Sequence, residues 1–165
     1  MATTAASVST VRQARDRYLA ANGFTLDSYT APFVEVSFFG LRFPFPNVGG
    51  LGRALPFHDL HHVALGYDTD IPGEAEICAW ELRAGVCDAP LIVRFIILEL
   101  FALGLLTSPR RTLAAWRAAG RCGTLFSRPL PYDALLDMSV GELRSHLGVP
   151  PDGLVTPAAA FFCGA

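Results

Sequence analysis

Three of the four histidines fall in one five-residue run, His58-Asp59-Leu60-His61-His62, and Glu74, Glu76 and Glu81 follow close behind. On a helix, residues four apart lie on one face, so His58 and His62 would sit one above the other. At about 100° per residue, Asp59 is near enough for its carboxylate to swing toward the same point. Two imidazoles and a carboxylate converging on a point is how proteins hold a divalent metal.

The next stretch adds a fourth donor. Gly66 can end the first helix, Asp70 can cap a second, and Pro72 is tolerated in its first turn. With the turn centred near Asp68, His62 and Glu74 each stand six residues from it and come level in an antiparallel pair. His58 comes level with Cys78. The expected ligands are therefore His58, Asp59, His62 and Glu74, with Cys78 as a neighbour. Such a mixed shell admits zinc, iron, cobalt or manganese alike. Tyr67, Asp68, Glu76, Glu81 and His61 are the nearby candidates for proton carriers, although each also suits a surface, capping or core role.

Zinc peptidases place glutamate directly after the first histidine of such a helix. Asp59 occupies that position, which argues against peptidase chemistry. A structural metal joining the two helices, or a hydrogen-bonded histidine cluster with no metal, are the remaining plain readings.

The elements that must position these groups read as helices. Thr10 to Asn22 is expected to be helical, stopped by Gly23, with Ala14, Tyr18 and Leu19 facing inward. Pro32, Gly40, Pro44 and Pro46 forbid a long helix between Thr30 and Asn47. That segment carries Phe33, Phe38, Phe39, Phe43 and Phe45, and reads as an irregular hydrophobic strap or as the wall of a lipid pocket. Phe38 and Phe39 are the aromatic candidates for ligand contact. Gly49, Gly50 and Gly52 lack the lysine of a phosphate loop. The metal helix is expected from Leu55 to Leu65, despite Pro56, and its partner from Ile71 to Ala84.

Leu91 to Leu106 is apolar nearly all round, the mark of a buried central helix, either pure core or the lining for an apolar ligand. Pro109 opens another helix through Arg121, on which Arg110, Arg117 and Arg121 share a narrow arc. Such a stripe is a solvated face, or a seat for a carboxylate, phosphate or anionic headgroup; Arg117 and Arg121 are the candidate contacts. Pro131–Met138 reads as a short helix, and Ser139 with Glu142 forms a capping box for the next, which Gly148 ends. No repeat and no strand set emerges. The expected fold is all-α, a single-domain helical bundle with a metal-binding hairpin and a buried apolar central helix. Residues 1–9 read as a flexible tail, 10–149 as the metal-binding domain and 150–165 as a peripheral C-terminal segment.

The chain has 165 residues, 52% hydrophobic and 17% charged, with a net charge of −2. One domain with a single sizeable core fits that length, and the charge balance argues against general nucleic-acid binding. All 13 basic residues are arginine, which codon bias explains. Cys78, Cys87, Cys122 and Cys163 show no CxxC spacing and no secretory context, so they read as reduced thiols of a cytoplasmic protein. The apolar run from Leu91 contains Arg94 and Glu99 and is too short to span a bilayer. Peripheral contact with the inner membrane face and a homodimer are both compatible with so apolar a chain.

The pattern His58-Asp59-x-x-His62, eleven residues, then Glu74 resembles the metal signature of the coenzyme Q biosynthesis protein 4 family. "HDLHHVALGYDTDIPGEAEICAWEL" is similar to that motif, including the glycine before the glutamate. "AAWRAAGRCGTL" and "DALLDMSVGELRSHLGV" are similar to the family's C-terminal helices, so the resemblance covers roughly residues 10–149. It implies an all-helical fold and a divalent metal held by His58, Asp59, His62 and Glu74 beside an apolar site for a polyprenyl-bearing molecule. It also implies decarboxylation and oxygenation at the ring carbon of a prenylated aromatic acid, as in ubiquinone synthesis. Membrane association and contact with other pathway enzymes are implied too. His61 inside the motif and the short chain depart from the family, and admit another prenylated, polyketide or aromatic metabolite as substrate. A non-catalytic polyprenyl-lipid scaffold with a structural metal is the competing expectation.

Overall fold

The computed structural model describes the backbone of residues 9–38 and 41–155, and their side chains apart from those of 35–38 and 41–43. Phe39, most of the N-terminal tail and the C-terminal stretch from 156 lie outside the described residues, as does the side chain of Phe38. Among the described residues, seven α-helices and one two-stranded hairpin make an all-α single domain.

Capping chemistry sets most of the helix limits. In α1 (Val11–Asn22), Thr10 and Gln13 complete a capping box and Gly23 closes the helix in the left-handed region. Its buried face is Val11, Arg15 and Leu19; Tyr18 is only half-buried. α2 (Leu51–Leu65) begins one turn earlier than expected and keeps Pro56 inside it. Gly66 ends it, and Asp70 caps α3 (Ile71–Ala84) by accepting from the Gly73 amide at 2.8 Å. α5 (Pro109–Ala118) runs into a 3-10 turn, Ala119–Arg121. α6 is Tyr132–Asp137, and α7 (Val140–Leu147) carries the Ser139–Glu142 box.

Two expectations need correcting. Thr30–Asn47 is no irregular strap: Phe33–Phe38 (β1) and Leu41–Pro46 (β2) pair antiparallel, with Phe33 opposite Pro46 and Phe38 opposite Leu41. A two-stranded ribbon has free edges on both sides, where Pro44 and Pro46 cost no ladder hydrogen bond. The helix expected at the centre, α4 (Leu91–Thr107), is instead an outer wall. Val93, Ile97 and Gly104 are buried, while Leu91, Phe95, Leu98 and Leu106 are 53–83% exposed. An all-round apolar sequence carries no gradient to say which side faces in, and α4 packs mainly on α3 and α5, with a smaller contact to α2.

The core runs between α2, α3 and the C-terminal helices, around Leu60, Leu65, Ile77, Trp80, Leu125, Leu135, Leu143 and Leu147. α3 is the hub, packed on α4 and α5. Gly104 permits that contact: a Cβ there would stand 2.4 Å from Ala75 Cβ and 2.6 Å from Thr112 Oγ1. At the other end of the site, Asn47 ties three segments together. It donates to the carbonyls of Tyr29 and Ala31 and accepts from the Gly52 amide, which locks the 3-10 turn Leu26–Tyr29 onto the start of α2. No helix among the described residues is long and apolar enough to cross a membrane.

Candidate metal centre

The hydrogen bonds behind the histidines decide which ring nitrogen is free. His62 Nδ1 lies 2.9 Å from the Tyr67 carbonyl, which can only accept, so Nδ1 carries the proton and Nε2 keeps its electron pair. The Leu125 amide donates to His61 Nε2 at 2.9 Å, so His61 must carry its proton on Nδ1, 2.6 Å from Glu81 Oε1. The same Glu81 oxygen accepts from His58 Nδ1 at 2.9 Å. His58 therefore also presents Nε2 as a free donor. Metal-bound histidines are held in this way, by a carboxylate or carbonyl on the far nitrogen.

His58 Nε2 and His62 Nε2 face each other at 3.3 Å. Glu74 sets one carboxylate oxygen 3.4 Å from His58 Nε2 and the other 3.4 Å from His62 Nε2. Ligands about 2.0–2.1 Å from a tetrahedral ion stand roughly 3.3–3.4 Å apart. Two imidazole electron pairs and an anion at that spacing repel unless a cation joins them, so the donor set fits a divalent metal. The trio comes together within 4.8 Å, as the level placement of His62 and Glu74 about Asp68 predicts.

A proton competes for the same seat. Burial alone would lower the His58 pKa, but the charges of Glu81 and Glu74 outweigh it and hold the ring well above the ordinary 6.5. Burial would raise both carboxyls; His62 and His58 keep Glu74 far below its usual range, and His58 and His61 keep Glu81 at about 2. His61 is shifted down by its own burial. Glu81 is thus an acceptor at neutral pH, as the tautomers require.

The seat opens on a cavity of about 290 Å³. Val34, Leu51, Leu55, Val93, Ile97 and Leu100 give it apolar lining, and His58, Glu74 and Cys78 line it as well. Tyr18 lines it too, its ring stacked on His62 at 5.4 Å. Burial pushes the Cys78 thiol well above its ordinary range.

Asp59 lines the cavity but stands apart from the trio. Its Oδ2 accepts from the Tyr29 hydroxyl at 2.6 Å and its Oδ1 faces the Tyr18 hydroxyl at 3.5 Å. Burial raises the Asp59 pKa against the hydrogen bond from Tyr29. One position along the helix from His58, its side chain leaves on a different azimuth and meets α1 and the 3-10 turn.

None of the nearby candidates for proton transfer lines the cavity. Tyr67 packs in the core and supplies its carbonyl to His62. Glu76 is held in a two-pronged ion pair by Arg111, at 3.0 and 2.6 Å. Glu81 and His61 are fully buried behind His58. Arg117 and Arg121 are exposed and away from the cavity lining. Tyr29 and Leu125 have roles that the chain's patterning does not signal, because both meet α2 through contacts distant in sequence. No family model, curated protein or solved structure matches this chain.

Proposed function

We propose that the protein is a metal-dependent enzyme acting on a hydrophobic, prenylated aromatic acid or quinone precursor, by decarboxylation, oxygenation or both at the ring carbon. The observation that carries this reading is the convergence of three metal-donor side chains, His58, His62 and Glu74, two of which, His58 and Glu74, line an apolar cavity. Structural zinc sites close with four protein donors, whereas catalytic ones use three and leave a position for water or substrate. Zinc is the first choice of ion, with iron, cobalt or manganese as alternatives.

A bound cation would anchor the ring carboxylate and phenolate and stabilise the charge left as carbon dioxide departs. The apolar walls exclude water from that end and hold the ring and the first part of a tail. A cavity of about 290 Å³ sits at the small end of ligand sites, so a longer tail would extend beyond it. Tyr18 and the Tyr29-bound carboxylate of Asp59 supply the polar groups that orient ring substituents. A route in ubiquinone synthesis, or in a related metabolite, follows from the same substrate class.

The exposed apolar face of α4 favours a second reading, a non-catalytic polyprenyl-lipid scaffold whose metal is structural, resting on a membrane surface or pairing as a homodimer. One assay separates them. Zinc- or iron-loaded protein is mixed with a prenylated hydroxybenzoate in a single-turnover reaction and carbon dioxide release is followed. Product that His62→Ala abolishes without loss of helical circular dichroism supports the enzyme. A loaded wild type that retains lipid in native mass spectrometry but turns nothing over supports the scaffold.

A further inference from the structure

Behind the metal seat stands a chain of contacts that the proposed chemistry does not use: His58, Glu81, His61 and the Leu125 amide. Glu81 and His61 are both fully buried. Glu81 Oε1 accepts from two imidazoles at once, while its Oε2 has no hydrogen-bond partner among the described residues. A buried carboxylate with an idle oxygen is a costly arrangement, and it calls for an explanation beyond packing.

The far end of the chain rules out proton delivery. His61 Nε2 receives the Leu125 N–H, and a backbone amide cannot take the proton onward. Neither side chain reaches the cavity. What the chain does instead is hold. The His61 ring is packed against Trp80 and Phe126, each with its centroid 5.4 Å away. The amide that meets it is aimed by a tight turn at Thr124. Thr124 Oγ1 donates to the Gly85 carbonyl at the end of α3 and accepts from the Phe126 and Ser127 amides at 3.1 Å. Thr124 is itself fully buried. The turn therefore fixes the tautomer of His61, His61 leaves Glu81 only as an acceptor, and Glu81 dictates which nitrogen of His58 is free.

We infer that Glu81 and His61 are a positioning pair that locks His58 as an Nε2 metal ligand and anchors the metal centre to the Thr124 turn. This rests on the metal reading above. The charge of Glu81 does a part that shape alone does not, since a carboxylate on the far nitrogen makes the imidazole a stronger donor.

The test measures zinc and cobalt(II) affinity by competition with a chromophoric chelator, in the wild type, Glu81→Gln, Glu81→Asp and His62→Ala. Side-chain 15N spectra of the zinc-loaded wild type are recorded alongside. Gln keeps the shape and one acceptor oxygen but removes the charge. It should bind metal about 10–100-fold more weakly, with the melting curve little changed. Asp, which restores the charge on a shorter arm, should recover part of the loss, and His62→Ala should lose binding altogether. The spectra should show His58 protonated on Nδ1 with Nε2 on the metal. Glu81→Gln binding within about threefold of wild type, while His62→Ala fails, overturns the positioning role and leaves the metal reading standing. A wild type that takes up no metal overturns both. If Glu81→Gln does not fold, the spectra decide: His58 bound through Nδ1 overturns the inference.

Discussion

The Tyr29 hydroxyl donates to Asp59 Oδ2 at 2.6 Å, across a gap of thirty residues. Asp59 is 5% exposed, so that bond and the Tyr18 hydroxyl are what hold its carboxylate in an apolar surrounding. Its carboxylate therefore stands outside the His58–His62–Glu74 trio. Asp59→Asn should lower zinc affinity by about tenfold or less, because its carboxylate hydrogen-bonds none of the three trio side chains, whereas Glu74→Gln should lower it far more. Isothermal titration of the two variants decides the point. Tyr29→Phe should destabilise the fold by about 1–2 kcal/mol, because it strands a buried acceptor.

A proton and a metal would compete at His58, and the pKa directions give the sign. With His58 held above 6.5, its stabilising contribution is complete below that value and fades as pH rises through the raised one. Glu74 and Glu81 are depressed, so theirs is complete above the ordinary 4.5 and fades as pH falls, for Glu81 toward about 2. His61, lowered by burial, adds a loss below 6.5. In chelator the urea midpoint should decline gently below pH 6.5 and steeply below 4.5. Zinc uptake at neutral pH should release a proton, seen as a dependence of the binding heat on buffer ionisation enthalpy.

The α2–α3 hairpin is legible in the chain because its signals are local. Gly66, Asp70 and Pro72 punctuate the chain where α2 and α3 end and begin, and counting from Asp68 sets Glu74 level with His62. Asp59 stands apart from the trio because one position of helix rotation turns its side chain toward α1 and Tyr29, a packing fact with no local trace. The partnership of His61 with Leu125 spans 64 residues and was equally silent. The hairpin did leave a trace. Val34, Val36 and Phe38 alternate with Glu35 and Ser37, and Leu41, Phe43 and Phe45 with Arg42, Pro44 and Pro46. Period-two alternation is the mark of a strand, and the prolines masked it.

α4 divides sharply between its faces. Ile97 is 2% exposed and lines the cavity, whereas Leu98, its neighbour in sequence, is 53% exposed. Leu98→Gln should leave the monomer's urea stability within about 0.5 kcal/mol of wild type, as surface changes do. Ile97→Ala should cost about 2 kcal/mol, the low end for a buried aliphatic because the site already borders a void. Equal costs at the two positions would mean that the outer face is covered in solution.

Gly104 offers a prediction whose sign opposes the ordinary rule. Glycine to alanine inside a helix normally gains about 1 kcal/mol. Here the new methyl would meet Ala75 Cβ at 2.4 Å and Thr112 Oγ1 at 2.6 Å. Neither atom is the loose end of a side chain: Thr112 is pinned through its bond to the Ser108 carbonyl, and Ala75 follows Glu74 directly on α3. Gly104→Ala must push α4 away from α3 and α5, at a cost of about 1–3 kcal/mol. Because α3 carries Glu74, the same shift should weaken zinc binding. Gly141→Ala in the exposed first turn of α7, where the nearest atom is Ser139 Oγ at 3.9 Å, should be neutral or stabilising and leave metal affinity unchanged. Urea melts and zinc titrations should therefore show a loss of stability and of zinc affinity for Gly104→Ala and neither loss for Gly141→Ala, which would link the α3–α4 contact to the geometry of the ligand set.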